Sequence, residues 1–251
     1  MSTGDYIVFV DSDDYWIGQD SLQRLIDVVC ENKDCDFVGF NCSYFYPESN
    51  SYKNWVPYNE AITQKIDKDF AVELLVSSGT FPMSPCLKII SRKFLNNINL
   101  RFRTGTLAED IPWFIDLLEG SQKCLFLNDY VYAYRQNVSG SVTKSNCERV
   151  YSNLFEILKS ELNKLETRSF NRESKDALYS FLAYEFCILL SILQDIPNSA
   201  ARRKELRQYK WLLHYTLNPK VRKVSYVYKF LGLRITELVL RLYNKKRESQ
   251  S

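Results

Sequence analysis

Histidine is nearly absent from this chain: His214 is the only one among 251 residues. The seven cysteines (Cys30, Cys35, Cys42, Cys86, Cys124, Cys147 and Cys187) contain no Cys-x-x-Cys pair. That spacing excludes the common zinc sites. An odd cysteine count, with several members in apolar runs, points to reduced, mostly buried thiols of a cytoplasmic protein. Residues 1–5 are polar and lack a basic leader, so no secretory signal peptide is expected. Long apolar runs are missing too. The most apolar later stretch, Phe181 to Leu193, includes Glu185 and is too short for a membrane span. No repeat or low-complexity tract is visible. Glycine is scarce, at eight against seventeen Tyr and fifteen Phe, which implies a core of large side chains.

What is present begins at residue 6. Tyr6 to Val10 is an uninterrupted apolar run that leads directly into Asp11-Ser12-Asp13-Asp14-Tyr15-Trp16. Such a run reads as a strand buried on both faces, the habit of parallel sheets. In extended chain Asp11 and Asp13 point to one side and Ser12 to the other. Paired carboxylates at a strand end suit a hard divalent cation that also holds substrate phosphates. An EF-hand calcium loop is excluded, because Tyr15 and Trp16 take the third-ligand and glycine positions and Leu22 the bidentate glutamate position.

Downstream, Asp20-Ser21 opens a helix to about Asn32 with Leu22, Leu25, Ile26 and Val29 on one face. Asp36 to Cys42 reads as a strand, and 43–66 as a loop or irregular hairpin. Asp67 opens a helix with Phe70, Leu74 and Leu75 inward. Cys86 to Ser91 is a short strand, and Arg92 to Asn97 a short helix. Glu109-Asp110 opens another helix, with Pro112 in its first turn and Gly120 at its end. Thr106-Leu107-Ala108-Glu109 fits a capping box for it. Cys124 to Leu127 and Val131 to Tyr134 are two strands. Helices follow near 147–165, 173–194, 199–216 and 220–243. The fold class is α/β to about residue 145 and all-α from 146 to 251. His214 reads as a packing residue within the helices.

Four features in this order resemble family-two glycosyltransferases of the GT-A fold. They are the Asp11-Ser12-Asp13 segment, the Lys88 and Arg92 stretch, Arg101-Phe102 followed by Glu109-Asp110, and Tyr134-Arg135-Gln136 with Ser139-Gly140-Ser141. The resemblance implies a mixed GT-A-like sheet and an enzyme that moves sugar from a nucleotide-diphosphate donor to a hydroxyl of a glycan or lipid-linked acceptor. It implies Asp13, with Asp11, as ligands of Mn²⁺ or Mg²⁺, and Asp110 as the general base of an inverting reaction. Arg135 and Lys88 would neutralise the diphosphate. It also implies earlier strands that grip the nucleotide base. These are not in this sequence, so the domain is expected to be N-terminally truncated. Its first strand should then present an open edge, and it should bind donor weakly or not at all in isolation.

Two other readings fit some of the residues. A haloacid-dehalogenase-like phosphohydrolase would use Asp11 as nucleophile, with Ser43, Lys88 and Glu109-Asp110 as later motifs. A non-catalytic remnant would act as a partner- or membrane-binding module. Residues 220–247 hold nine Lys/Arg against Glu237 alone, a balance of +8 on a chain of net +3. Val224, Val227, Leu231, Ile235, Leu238 and Leu242 fall at helical spacing among them. This reads as a basic amphipathic helix suited to an anionic inner membrane face, or as a packed helix with a solvated flank. The basic residues form a tail rather than a groove with interleaved aromatics, so nucleic acid is not an expected partner.

Overall fold

The computed structural model describes residues 2–136 and 147–248. It divides into two compact units: one from segments 1–75, 80–102 and 110–139, the other from 76–79, 103–109 and 140–251.

The first unit is built on a mixed six-stranded sheet: β1 (Tyr6–Val8), β2 (Tyr15–Trp16), β3 (Phe37–Tyr46), β4 (Ser51–Asn54), β5 (Lys88–Ser91) and β6 (Cys124–Arg135). The strand order is β1-β5-β3-β6-β2, with β4 pairing β3. Only β3 and β6 run parallel; every other pair is antiparallel. The predicted fully buried, parallel first strand is therefore corrected. β1 is an antiparallel edge strand registered on β5, Tyr6 opposite Ser91 and Val8 opposite Ile89. Tyr6 is exposed and Val10 half exposed. A five-residue apolar run cannot tell a central strand from an edge strand, because the neighbours decide it.

The two strands predicted over 124–134 are one, β6, whose pairing with β3 shifts register between Gly39 and Cys42. Of the loop or irregular hairpin expected over 43–66, the hairpin forms: β3 runs on past Cys42 to Tyr46 and turns back as β4. Gly39 is needed by close packing, since a Cβ there would lie 2.5 Å from the Phe126 ring.

Helix α1 (Ser21–Glu31) covers one sheet face with Leu25 and Val29, beside Val38, Phe40, Ile89 and Leu125. Each such buried side chain contributes about 1.5–3 kcal/mol. Leu22 and Ile26, predicted to join them, are exposed, as is Phe70 of α2 (Lys68–Ser78). The helix periodicity is right, and the buried arc is narrower than the apolar one. Helix α3 (Arg92–Asn97) follows β5, and α4 (Asp110–Gly120) precedes β6.

The second unit contains α5 (Cys147–Leu165), α6 (Arg172–Ile192), α7 (Ser199–Leu206), a 3-10 segment over Arg207–His214 and α8 (Pro219–Glu248). Helix α6 is the buried one, as its all-round apolarity predicts. It forms close to the expected 173–194. Residues Arg172–Asp195 are long and apolar enough to cross a membrane by length and composition, and 72% of the most apolar window is buried in the protein. That burial is the property of a core helix. Buried Glu161 is held by Arg168, with Arg103 at 3.3 Å. His214, predicted to pack, is exposed.

Candidate active site

β1 ends at Val8, and the next three residues divide their tasks. Phe9 turns inward, Val10 faces out, and Asp11 begins a tight turn closed by the Asp14 N–H on the Asp11 carbonyl at 3.1 Å. The turn is pinned to β6 from both ends. The Asp11 N–H donates to the Tyr132 hydroxyl at 3.2 Å, and that hydroxyl donates to Asp14 Oδ2 at 2.8 Å. Asp14 Oδ1 accepts the Arg135 backbone N–H at 2.8 Å. Asp14 is thus the anchor, a role sequence reasoning left unassigned. Burial pushes its carboxyl up, opposed by the bonds from Arg135 and Tyr132 and assisted by the charges of Asp13 and Asp11.

With Asp14 anchored, Asp11 and Asp13 are left exposed. The Asp13 carboxylate makes no hydrogen bond or ion pair among the described residues. Nor is any group of three or more His, Cys, Asp or Glu arranged there to hold a metal. The donor set is a pair of carboxylates. This fits Mg²⁺ or Mn²⁺, which take one or two carboxylates and complete their shell with substrate phosphates and water.

Replacing Asp14 by Ala removes the acceptor of the buried Tyr132 hydroxyl. The expected cost is about 1–3 kcal/mol, read as a fall in the urea midpoint. Tyr132→Phe should cost less, and the double variant should cost less than the sum. Additive losses would show that the two groups do not act through one bond.

The helix that carries Asp110 is joined to the segment before Asp11 by aromatic packing. Asp110 is the first residue of α4, where the helix dipole favours a carboxylate. Trp113, one turn on, stacks on Phe102 with centroids 5.0 Å apart and planes 6° from parallel. Phe9, two residues before Asp11, meets Phe102 edge-on at 5.4 Å and Trp113 at 6.0 Å. Each such pair adds about 0.5–1.5 kcal/mol beyond area burial. The convergence registers at Tyr134, whose phenol is raised by burial and then by the carboxylates of Asp14, Asp11, Asp13 and Asp110. The predicted capping box does not form. The Thr106 hydroxyl donates to the Arg103 carbonyl at 3.2 Å instead of accepting, and Ala108 lies in the left-handed region at φ +59°.

Arg135 is exposed beside this turn, its guanidinium 5.6 Å from the Tyr15 ring centre. The companion segment Ser139-Gly140-Ser141 lies outside the described residues.

Lys88 is corrected. It is fully buried, and its Nζ donates to the carbonyls of Pro82 at 2.6 Å and Ser84 at 2.7 Å. The same nitrogen sits 4.0 Å from the Phe114 ring centre. A cation enclosed in this way does not reach a diphosphate. Burial lowers its pKa to about 7, against the attraction of Asp110 and then Cys86. Arg92 is also a brace: its Nε donates to the Gly4 carbonyl, and its backbone N–H to that of Asp5 at 2.8 Å. The Lys88 and Arg92 pair therefore fastens backbone on the two sides of β5. Ser43 is buried, with its hydroxyl donating to Asn54 at 2.8 Å. Neither Ser43 nor Lys88 can serve the phosphate contacts that the phosphohydrolase alternative needs.

The chain is 30% identical over 187 residues to glycosyltransferase GlyA of Streptococcus pneumoniae serotype 4. That alignment covers 70% of the chain and 25% of GlyA, so the chain spans about a quarter of that curated relative. No protein-family model matches. Among solved structures, S. aureus TarS 1–349 in complex with UDP-GlcNAc superposes at a TM-score of 0.59. It is 16% identical, over 98% of this chain and 69% of that one. The same TarS segment with UDP gives 0.60 at 15% identity, over 98% and 68%. The mixed sheet, the helical region after it and these likenesses show that the chain has a partial GT-A-like fold similar to that of TarS.

Proposed function

We propose that this protein is a glycosyltransferase that moves a sugar from a nucleotide-diphosphate donor to a hydroxyl of a glycan or lipid-linked acceptor, with inversion, in the synthesis of a surface polysaccharide. One observation carries the reading. Phe9, two residues before the exposed Asp11 and Asp13, packs with Phe102 on Trp113, three residues after Asp110 at the start of α4, which supports reading the three carboxylates as one site. The sequence likeness to GlyA and the TarS complexes with UDP-GlcNAc and UDP support a nucleotide-sugar donor.

Asp13, assisted by Asp11, would hold Mn²⁺ or Mg²⁺. A bound cation of this kind neutralises the charge that grows on a departing diphosphate. The remaining work belongs to the chain. Asp14 keeps the turn in place through Tyr132 and Arg135. The exposed Arg135 guanidinium attracts the diphosphate, with charge-assisted hydrogen bonds as the gain. Asp110 accepts the proton of the acceptor hydroxyl as that oxygen attacks the anomeric carbon.

Mn²⁺ binding measured by electron paramagnetic resonance, with and without UDP, tests the donor half. UDP, held by this chain through its diphosphate, is expected to strengthen Mn²⁺ binding by a small factor, and Asp13→Ala to abolish the effect. Identical binding in wild type and Asp13→Ala would refute the metal–diphosphate assignment.

A further inference from the structure

Helix α8 carries a surface that the proposed chemistry does not use. Gly232, at φ 72° and ψ 172°, breaks the helix into two arms. In the second arm Thr236 and Glu237 are buried. Glu237 accepts from Arg203 at 2.8 and 2.6 Å and from Gln194 at 2.9 Å. The opposite face carries Ile235, Leu238, Val239, Leu242 and Tyr243 at helical spacing, and all five are exposed. Leu242 is 59% and Tyr243 68% exposed. Phe230, just before the break, is 79% exposed.

Charge separates across the helix in the same sense. Among the described side chains of α8 the acidic one, Glu237, faces inward and is neutralised by Arg203. Arg234 and Lys245 border the apolar face, and Lys246 lies at its far end, all exposed. Lys245 is 3.5 Å from Asp195, and Arg241, lower on the flank, is paired with the same carboxylate. An apolar stripe bordered by Arg234, Lys245 and Lys246, with Asp195 already paired to Arg241 and Lys245, matches the boundary between acyl chains and anionic headgroups.

We propose that the outward face of the second arm of α8 binds an anionic lipid bilayer, with Ile235, Leu238, Val239 and Leu242 entering the headgroup boundary and Arg234, Lys245 and Lys246 pairing with lipid phosphates. The proposal does not depend on Asp11, Asp13 or Asp110.

Co-sedimentation with vesicles of phosphatidylcholine alone, or with phosphatidylglycerol added, tests it. Wild type should pellet with the anionic vesicles and be released by high salt. L238S/L242S and R234E/K246E should each lower the partition coefficient about tenfold or more. These side chains are exposed, so both variants should fold, and circular dichroism checks this. Pelleting that is the same for wild type and both variants would overturn the proposal, as would no pelleting with either lipid. A concentration-dependent dimer in sedimentation velocity, lost in L238S/L242S without any vesicle binding, would assign the stripe to a second copy instead.

Discussion

Asp110→Asn is expected to lower sugar transfer by a factor of about 10² to 10⁴, the usual contribution of a positioned general base. UDP-dependent Mn²⁺ binding should remain. Asparagine keeps the shape and the place at the start of α4, and removes only the ability to take a proton. The Trp113 and Phe102 stack and its contacts with Phe9 do not involve the carboxylate, so the scaffold of the site should survive. The variant should have a second signature. Asp110 is the largest charge holding up the ionisation of Lys88, whose pKa is about 7. Its removal should therefore lower the Lys88 pKa further. Transfer that persists at the wild-type rate in Asp110→Asn would assign the base elsewhere.

Lys88→Met is expected to destabilise the first unit by about 2–5 kcal/mol. Methionine has nearly the length of lysine but cannot donate. The Pro82 and Ser84 carbonyls would each lose a buried donor, at about 1–3 kcal/mol apiece, and the Phe114 ring a cation. Relief of the cost of burying charge offsets part of this. The pH dependence gives a cleaner readout. The folded-state pKa of Lys88 lies below its ordinary 10.5. Between about 7 and 10.5 the unfolded chain therefore binds more protons than the folded one, and this group makes stability rise with pH. Below about pH 7 both states are protonated and the slope vanishes. The slope is at most about 1.4 kcal/mol per pH unit. Buried thiols and phenols such as Cys86 and Tyr132 act in both proteins, so the difference between wild type and Lys88→Met isolates Lys88. A difference that stays constant from pH 7 to 10 would show that Lys88 stays charged in the folded protein across that range.

Several elements are legible because their signals are local. Arg92–Asn97 and Cys147–Leu165 form over the ranges expected for them. The apolar run ending in acidic residues places Asp11 and Asp13 at a strand end, and Pro112 with Gly120 brackets α4 around Asp110. These patterns depend on backbone preference and on residues within one or two turns. The roles of Asp14 and Lys88 were hidden, because both rest on partners far along the chain. Asp14 is defined by Tyr132 and Arg135 of β6, and Lys88 by a loop and by Phe114 of α4. Nothing in a window around either residue specifies those partners.

The same division holds for the whole protein. Sequence alone determined the mixed α/β and then all-α order, the pair of carboxylates after the first strand, the acid at the start of α4 and the basic amphipathic character of α8. Tertiary structure alone decided that β1 is an antiparallel edge strand, that Asp14 anchors the turn from which Asp11 and Asp13 project, and that Lys88 is a buried brace rather than a phosphate contact. It also decided that Leu238 and Leu242 face outward while Glu237 faces in. The physical reason is that periodicity fixes which residues share a face, whereas the neighbours packed against that face fix whether it is buried, charged or open to a ligand.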